Sequence, residues 1–227
     1  MSCIPSPLII AIDGPSGSGK TTVGRKIARE LGLLYLDTGS MYRAVALAVM
    51  NAGIDSADCE AVGSLATNIQ IDLEGDPDSL KVYLQGRDVT EDVRSEDVTH
   101  MSSIISAIPA VRRAMVSRQR EMAKRGAVLN GRDIGTVVFP DANVKFFLTA
   151  SPKERARRRF KETDVANASF KEVMAEMTER DMRDSTRGDS PLAVASDAVV
   201  IDSTGLSIDE VAQKMITIVR EKIRSKE

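Results

Sequence analysis

One glycine-rich run constrains this chain more than any other feature. Residues 14–21 read GPSGSGKT and match the pattern G-x-x-x-x-G-K-[ST] in full. The run follows an apolar segment at residues 8–12 that is short enough to be a buried strand, and it precedes residues 23–31, where apolar side chains recur at helical spacing. A strand, a glycine-rich loop and a helix are the setting in which this pattern binds the phosphates of a nucleoside triphosphate.

Each part of this loop has a chemical reason. Glycines let successive backbone N–H groups converge on one anion, because no Cβ stands in the way. The start of the following helix adds partial positive charge. Lys20 can reach the β- and γ-phosphates, and the Thr21 hydroxyl can bind Mg²⁺. The sequence therefore predicts a triphosphate site with a magnesium ion.

Composition limits the class of protein. At 227 residues the chain can form one α/β domain, or one domain with a small inserted lobe. A net charge of −2 argues against general nucleic-acid binding. No 18-residue apolar run or basic leader is present, and Cys3 and Cys59 form no metal or redox pattern. We therefore expect a cytoplasmic monomer with no membrane or nucleic-acid partner.

The remaining sequence alternates between strand and helix patterns. Three more apolar runs are short enough to be strands and lead into polar residues, at 127–129, 144–148 and 198–201. Helical patterns lie at 41–51, 110–125, 153–161, 170–184 and 208–223. This alternation predicts a three-layer α/β fold, a parallel sheet covered by helices on both faces. Ligands of such sheets bind at the carboxyl ends of the strands.

One segment departs from this alternation. Residues 68–93 show period-2 alternation, a turn cluster of Gly, Asp and Pro, and alternation again. That pattern is typical of an antiparallel hairpin. An antiparallel ribbon within a parallel α/β pattern indicates a small inserted β lobe.

Arginine placement suggests what lies opposite the triphosphate, because the guanidinium fork binds phosphate bidentately and stays charged. One cluster comprises Arg155, Arg157, Arg158 and Arg159. A second comprises Arg180, Arg183 and Arg187, at i, i+3 and i+7 on one helical stripe. Solvated helix faces or a salt-bridge ladder with Asp181 and Asp184 would explain these clusters, and so would bound phosphate.

Two further constellations carry charge at predicted strand ends. In residues 37–43, DTGSMYR, Thr38 or Ser40 is expected to cap a helix, and Arg43 lies in its first turn. An arginine there is electrostatically disfavoured unless an anion is bound nearby. In residues 131–136, GRDIGT, an Arg–Asp pair stands between glycines at the end of a strand. A turn alone would not explain that charged pair.

These pieces together resemble bacterial cytidylate kinases. The resemblance rests on residues 14–20, 36–43, 131–141 and 180–184, and it continues in order over essentially the whole chain. It implies one P-loop kinase unit over 1–227, of the nucleoside-monophosphate kinase type. Its core would be about 1–60, 105–150 and 190–227, its inserted monophosphate-binding lobe about 61–104, and its helical lid about 151–189.

The resemblance implies transfer of the γ-phosphoryl group of Mg-ATP to CMP or dCMP, giving ADP and CDP or dCDP. The implied ATP-binding residues are Gly14, Pro15, Ser16, Gly17, Ser18, Gly19, Lys20, Thr21, Thr22 and Arg157, with Thr21 on the metal. The implied catalytic residues are Lys20, Arg132, Arg180 and Arg187.

The acceptor residues follow from the same resemblance. Thr38 matches a residue that contacts the cytosine ring, Arg112 and Asp133 match residues that read the base, and Asp184 and Arg187 match those at the pentose. Arg43, Arg132 and Arg180 match arginines on the acceptor phosphate, and Asp37 and Tyr42 lie in the same pocket.

One departure and several alternatives remain open. Asn130 stands where many relatives have Asp, which removes a possible outer-shell charge near Mg²⁺ or the acceptor. Another small P-loop kinase, acting on UMP, AMP, dTMP or shikimate, is the nearest alternative. A regulatory P-loop NTPase would be expected to carry a guanine-reading N-K-x-D motif, which is absent.

Overall fold

The structure is a computed structural model that describes residues 7–162 and 169–225. A five-stranded sheet forms its centre, with strand order β2-β6-β1-β7-β8, and every pair in it is parallel. The strands are β1 (Ile9–Asp13), β2 (Leu34–Asp37), β6 (Ala127–Gly131), β7 (Val144–Thr149) and β8 (Val199–Asp202). The four strands predicted from apolar runs are confirmed, and the unassigned apolar run at 33–36 forms β2.

The central position of β1 explains its composition. All five of its residues are buried, because β6 and β7 flank it and helices cover the sheet. Buried parallel strands are apolar throughout rather than alternating. In register, Asp13 lies opposite Gly131 of β6 and Phe147 of β7, so the carboxyl ends of the three strands share one edge.

Helices join the parallel strands. They are α1 (Lys20–Leu31), α2 (Thr38–Asn51), α5 (Pro109–Met122), α6 (Pro152–Glu162), α7 (Phe170–Thr186) and α8 (Ile208–Arg224). Each helical pattern found in the sequence corresponds to one of them, and α1 and α2 begin three residues earlier than the apolar spacing indicated. A short π-helical turn, Ile134–Val138, follows β6 and was not expected.

The hairpin prediction is confirmed and extended. β3 (Ile71–Glu74) and β4 (Lys81–Leu84) pair antiparallel, and β5 (Arg87–Asp88) adds a third strand after a turn at Gln85 and Gly86. Two helices precede and follow this small sheet along the chain, α3 (Cys59–Asn68) and α4 (Glu96–Ile105). Sequence reasoning missed both helices, because each is only ten residues long and has buried serine, threonine or glycine among its apolar positions.

Packing ties these parts together. The small sheet, α3 and α4 share one continuous hydrophobic cluster with the parallel sheet. By contrast, α6 and α7 pack on each other through a separate small cluster of Ala156, Val173 and Met177. The division into core, lobe and lid stays a prediction, and its parts at 1–6, 163–168 and 226–227 lie outside the described residues.

Within residues 7–162 and 169–225, every helix is too short or too polar to cross a membrane.

Candidate active site

A cleft of about 760 Å³ opens at the carboxyl edge of the parallel sheet. The glycine-rich loop after β1, the ends of β2 and β6, and helices α2, α4, α5 and α7 all contribute to its lining. The structure brings these sequence-predicted residues into the lining: Ser16, Gly17, Gly19, Lys20, Thr21, Thr22, Asp37, Thr38, Tyr42, Arg43, Arg112, Arg132, Asp133, Arg180, Asp184 and Arg187.

The glycine-rich loop is shaped by close contact with the sheet. A Cβ on Gly14 would lie 2.0 Å from the carbonyl oxygen of Leu148, so the loop can leave β1 only with glycine there. Gly19 precedes α1 with a φ of 94° and no side chain caps the helix. The first N–H groups of α1 therefore lack a side-chain acceptor, which is the arrangement that binds an anion at a helix N-terminus.

Lys20 lies in the floor of the loop. Its Nζ donates to the Pro15 carbonyl at 2.6 Å, and no carboxylate lies within 4 Å of it in the described residues. Burial lowers the pKa of Lys20 well below its ordinary value, and Arg132 and Arg180 lower it further. An incoming anion would relieve both effects, because it would supply the missing opposite charge.

Two helices hold the outside of the loop. Asp181 of α7 accepts from the Ser16 N–H at 3.1 Å and is ion-paired with Arg155 of α6, which also donates to the Ser16 carbonyl at 3.0 Å. Arg158 donates to the Ser18 carbonyl at 3.3 Å and to the Ser203 carbonyl at 2.8 Å. The glycine-rich loop is therefore tied to both predicted lid helices.

Four of the predicted ATP-binding residues lie outside the lining. Gly14, Pro15 and Ser18 are buried within the loop itself. Arg157 is not brought to the cleft: it is exposed on α6 and makes two hydrogen bonds to Glu154, at 2.7 and 2.8 Å. Arg159 of the same helix lines the cleft instead.

The start of α2 places three polar side chains together. Arg43 donates to Ser40 at 2.6 Å and lies 3.4 Å from Asp37, to which Ser40 also donates. Burial alone would raise the pKa of Asp37, but Arg43 and the Ser40 hydrogen bond outweigh it and keep that pKa low. The expectation that Thr38 or Ser40 caps this helix is wrong. The helix begins at Thr38, Asp37 occupies the cap position, and the Thr38 hydroxyl donates to the Asn130 carbonyl.

Opposite charges alternate across the middle of the cleft. Arg112 is ion-paired with Asp133, and Arg187 lies 3.8 Å from Asp133 and 3.6 Å from Asp184. Asp184 also accepts from Arg132 Nε at 2.7 Å. Burial works against the ionised form of Asp184, yet Arg132 and Arg180 outweigh it and lower its pKa. This chain of charges fixes the planes of its guanidinium groups before any ligand binds.

Tyr42 closes one side of this chain of charges. The Arg112 guanidinium lies over its ring, 5.5 Å from the ring centre, and burial raises the pKa of Tyr42 to about 12. The phenol is therefore neutral near pH 7 and can form an apolar wall with a polar tip.

Arg180 is different from the other arginines of the cleft. No carboxylate lies within 4 Å of its guanidinium in the described residues, and its buried Nε has no hydrogen-bond partner there. Burial and the neighbouring Arg132 lower the pKa of Arg180 to about 10. Arg183, one turn further along α7, lies 3.7 Å from Glu179 and outside the lining. The stripe of arginines therefore divides into cleft residues and a surface ion pair.

The charge of the lining is far from that of the chain. It carries nine lysines and arginines but only four carboxylates, whereas the whole chain has 31 basic and 33 acidic residues. Such a local excess of positive charge attracts polyanions.

Two residues of this edge were missed by sequence reasoning. Both oxygens of Asp13 accept backbone N–H groups of the π-helical turn, from Ile134 at 2.8 Å and Gly135 at 2.7 Å, and burial raises the pKa of Asp13 to about 6. Asp13 thus fixes the segment that carries Arg132 and Asp133. A charged residue ending an apolar strand was the available signal.

Ser103 of α4 is the second missed residue. It lines the cleft, is 7% exposed, and its hydroxyl has no partner in the part of the chain that the structure describes. An unpaired buried hydroxyl facing a cleft is suited to bind a polar ligand group. Sequence reasoning could have found it only by recognising α4.

The residues near Thr21 fit a magnesium ion bound with its nucleotide. Thr21 lines the cleft, and Asn130 Nδ2 donates to its hydroxyl oxygen at 3.2 Å. The Oδ1 of Asn130 is buried without a hydrogen-bond partner, so an oxygen acceptor remains available there. The described residues contain no cluster of three or more acidic, histidine or cysteine side chains that could hold a metal without a nucleotide.

Comparison with known proteins agrees with this geometry. The family model described as cytidylate kinase matches residues 10–221. A curated cytidylate kinase from Solibacter usitatus is 50% identical over 221 residues, covering 95% of this chain and 94% of its own length. One from Mycobacterium leprae is 49% identical and covers 95% of this chain and 96% of its own length.

Solved structures support the fold alone. An uncharacterized protein from Eubacterium ventriosum superposes with a TM-score of 0.54 at 13% identity, covering 94% of this chain and 98% of that one. A gluconokinase from Sinorhizobium meliloti has a TM-score of 0.50 at 14% identity, covering 96% of this chain and 95% of that one.

Proposed function

Because this chain belongs to the cytidylate kinase family, we propose that it transfers the γ-phosphoryl group of Mg-ATP to CMP or dCMP, forming ADP and CDP or dCDP. The observation that carries the proposal is a pair of cations, Lys20 and Arg180, that have no carboxylate within 4 Å in the described residues. They lie in one cleft between the glycine-rich loop and a chain of fixed arginines. Two phosphate groups brought together there would supply the missing negative charge.

The donor half of the site is the glycine-rich loop. The uncapped start of α1 and the backbone of residues 14–22 bind the phosphates of ATP, and Lys20 moves from the Pro15 carbonyl to the β- and γ-phosphates. Thr21 holds the magnesium ion, which neutralises charge on the phosphates when it is bound. The contacts of Asp181, Arg155 and Arg158 with the loop support a lid role for α6 and α7.

The acceptor half lies across the cleft, on α2, α5, α7 and the end of β6. Arg43, Arg132 and Arg180 bind the phosphate of CMP. Supporting this, the charges of Arg132 and Arg180 act on Lys20 of the glycine-rich loop, and the charge of Arg43 acts on Arg180. Arg112 and Asp133 read the cytosine ring with Thr38 and Ser103 beside them. Asp184 and Arg187 bind the pentose.

The chemistry needs alignment and charge rather than a base. The acceptor is a phosphate oxygen that is already ionised near pH 7, so no proton has to be removed before attack. Arg132 follows β6, the strand beside β1, so acceptor and donor phosphates meet at adjacent strand ends. Guanidinium groups that are already held in place stabilise the transferring phosphoryl group, because they need not reorganise during the reaction.

Closure of the cleft protects the reaction from water. Water in place of CMP would turn the kinase into an ATPase. The ion pairs of Asp184 and Asp133 with arginines on three different elements would tighten around an acceptor and draw α7 toward β6. In the absence of acceptor, hydrolysis should therefore be slow.

The experiment is a coupled assay of ADP release with Mg-ATP and each of CMP, dCMP, UMP, AMP, GMP and dTMP. We expect CMP and dCMP to give the highest kcat/KM, because the Asp133 carboxylate can accept a hydrogen bond from the base and the Arg112 guanidinium can donate one to it. A preference for another acceptor would favour a different small P-loop kinase. Full ADP release without any acceptor would instead favour a regulatory NTPase.

We further propose that the protein acts as a monomer on small molecules in the cytoplasm. Supporting the small-molecule substrates, the cleft is a concave pocket of about 760 Å³ with convergent polar and charged side chains. Light scattering after size-exclusion chromatography tests the monomer, and a dimer whose dissociation abolishes activity would contradict it.

A further inference from the structure

Asn130 occupies an unusual place at the carboxyl edge of the sheet. It is the penultimate residue of β6, is 4% exposed, and lines the cleft. Its Nδ2 donates to the Thr21 hydroxyl at 3.2 Å, whereas its Oδ1 has no hydrogen-bond partner in the described residues. A buried amide that is half satisfied costs stability, and a bound water or ion is one of the explanations for such a group.

The neighbouring carboxylates already have hydrogen-bond or ion-pair partners. Both oxygens of Asp13 accept backbone N–H groups, and Asp37, Asp133 and Asp184 are each paired with arginine. Among the described residues that line the cleft, only two buried side-chain oxygens lack a partner, Asn130 Oδ1 and Ser103 Oγ. Of these two, only Asn130 is bonded to Thr21.

The bond to Thr21 has a consequence for the hydroxyl. A threonine hydroxyl has two lone pairs and one proton. When an amide N–H occupies one lone pair, the other remains to bind a cation, and the hydroxyl proton must turn away from the amide. The contact therefore orients Thr21 as an oxygen ligand before nucleotide arrives.

We propose that Asn130 is a positioning residue for the divalent cation, orienting Thr21 through Nδ2 and accepting a hydrogen bond from a cation-bound water through Oδ1. This inference rests on the proposed function, since the cation enters with the nucleotide. As a consequence, the group that Asn130 places behind the direct ligands of the cation is uncharged. Most of the affinity for the cation then comes from the nucleotide phosphates, and the protein without nucleotide binds it weakly.

The test measures Mn²⁺ binding by electron paramagnetic resonance, as free Mn²⁺ in the presence of protein and the non-hydrolysable analogue adenylyl imidodiphosphate. Asn130→Ala should weaken Mn²⁺ binding about 10-fold, because outer-shell partners typically contribute 10- to 100-fold. Asn130→Asp should tighten it about 10-fold, because a carboxylate adds attraction at the same position. A purely structural role would move both variants in the same direction.

Asn143→Asp is the matched control. Asn143 Oδ1 accepts from the Ile9 N–H at 2.7 Å, at the amino edge of the same sheet, and a carboxylate keeps that acceptor. The added charge is the same but lies at the far edge, so Mn²⁺ binding should stay within about twofold of wild type, because solvent and distance screen it.

The outcomes separate two failures. If wild type binds no Mn²⁺ with the analogue, the proposed function itself falls. If wild type binds it and both Asn130 variants match wild type within about twofold, the role of Asn130 is refuted while the function stands. Thermal unfolding checks that each variant is folded, and Asn130→Ser replaces any variant that is not, with the same weakening expected as for alanine.

Discussion

Replacing Arg180 by methionine should reduce activity while increasing stability. Arg180 has no carboxylate within 4 Å in the described residues, so its removal leaves no buried acid unpaired. Its pKa is lowered from 12.5 to about 10 by burial and by Arg132. That difference corresponds to about 3 kcal/mol of unfavourable free energy for the charged form. Methionine keeps a long apolar side chain there and removes the charge.

The expected increase in the free energy of unfolding is smaller than about 3 kcal/mol, because the Arg180 side chain retains some solvent contact. We expect the free energy of unfolding to rise by about 1–2 kcal/mol, which is about 3–6 °C in Tm for a chain of this size. Turnover should fall about 10²–10³-fold, since a preorganised donor to the transferring group is lost. Urea unfolding and coupled ADP release with CMP measure the two effects on the same samples.

Arg183→Met is the control, because Arg183 lies one turn along α7 and pairs with Glu179 outside the cleft. Its turnover should stay near wild type. Arg180→Met would contradict this prediction by losing more than about 1 kcal/mol of stability, or by keeping turnover within about tenfold of wild type. Either result would mean that Arg180 has a structural partner or no contact with phosphate.

Three other predictions follow from individual contacts. Ser103→Ala should raise the KM for CMP about 10-fold while leaving the free energy of unfolding unchanged, because the hydroxyl has no hydrogen-bond partner among the described residues; a loss of stability would contradict this. Arg157→Ala should change the KM for ATP about threefold or less, since the side-chain hydrogen bonds of Arg157 within the described residues go to Glu154 at the surface. A large increase in KM would mean that Arg157 contacts the nucleotide. The pKa of Asp13 is about 6 in the folded protein against an ordinary value of 3.8, so protonated Asp13 should stabilise the fold most below pH 4, and this contribution should be lost as pH rises through 6. In a series of unfolding free energies measured against pH, Asp13→Asn should remove this dependence.

Much of the fold could be predicted because its parallel strands are buried on both faces. Such strands appear as short apolar runs, and each run here ends in a polar cluster that marks the carboxyl edge. The two helices of the lobe could not be predicted in this way. The inward face of α3 includes Gly63, and that of α4 carries serine and threonine among its apolar residues. In α4 those polar positions, among them Ser103, turn toward the cleft.

The site shows a similar division. Motif chemistry was enough to predict the triphosphate loop, and the resemblance to a family named most of the acceptor residues. Arg157 and Arg159 could not be told apart, since both lie on one short helix and only packing decides which of them lines the cleft. Asp13 was overlooked because its partners, Ile134 and Gly135, are more than a hundred residues away.

Sequence alone determined four of the five parallel strands, the six helices that join them, the hairpin, the glycine-rich loop and the kinds of charge available, because these depend on local spacing and on the chemistry of neighbouring residues. Tertiary structure decided which charges are paired. Arg112, Asp133, Arg187, Asp184 and Arg132 form one alternating chain, whereas Arg180 and Lys20 have no carboxylate within 4 Å in the part of the chain that the structure describes. The reason is physical: the pairing of buried charges depends on distances between elements far apart in the chain, and no local pattern encodes those distances.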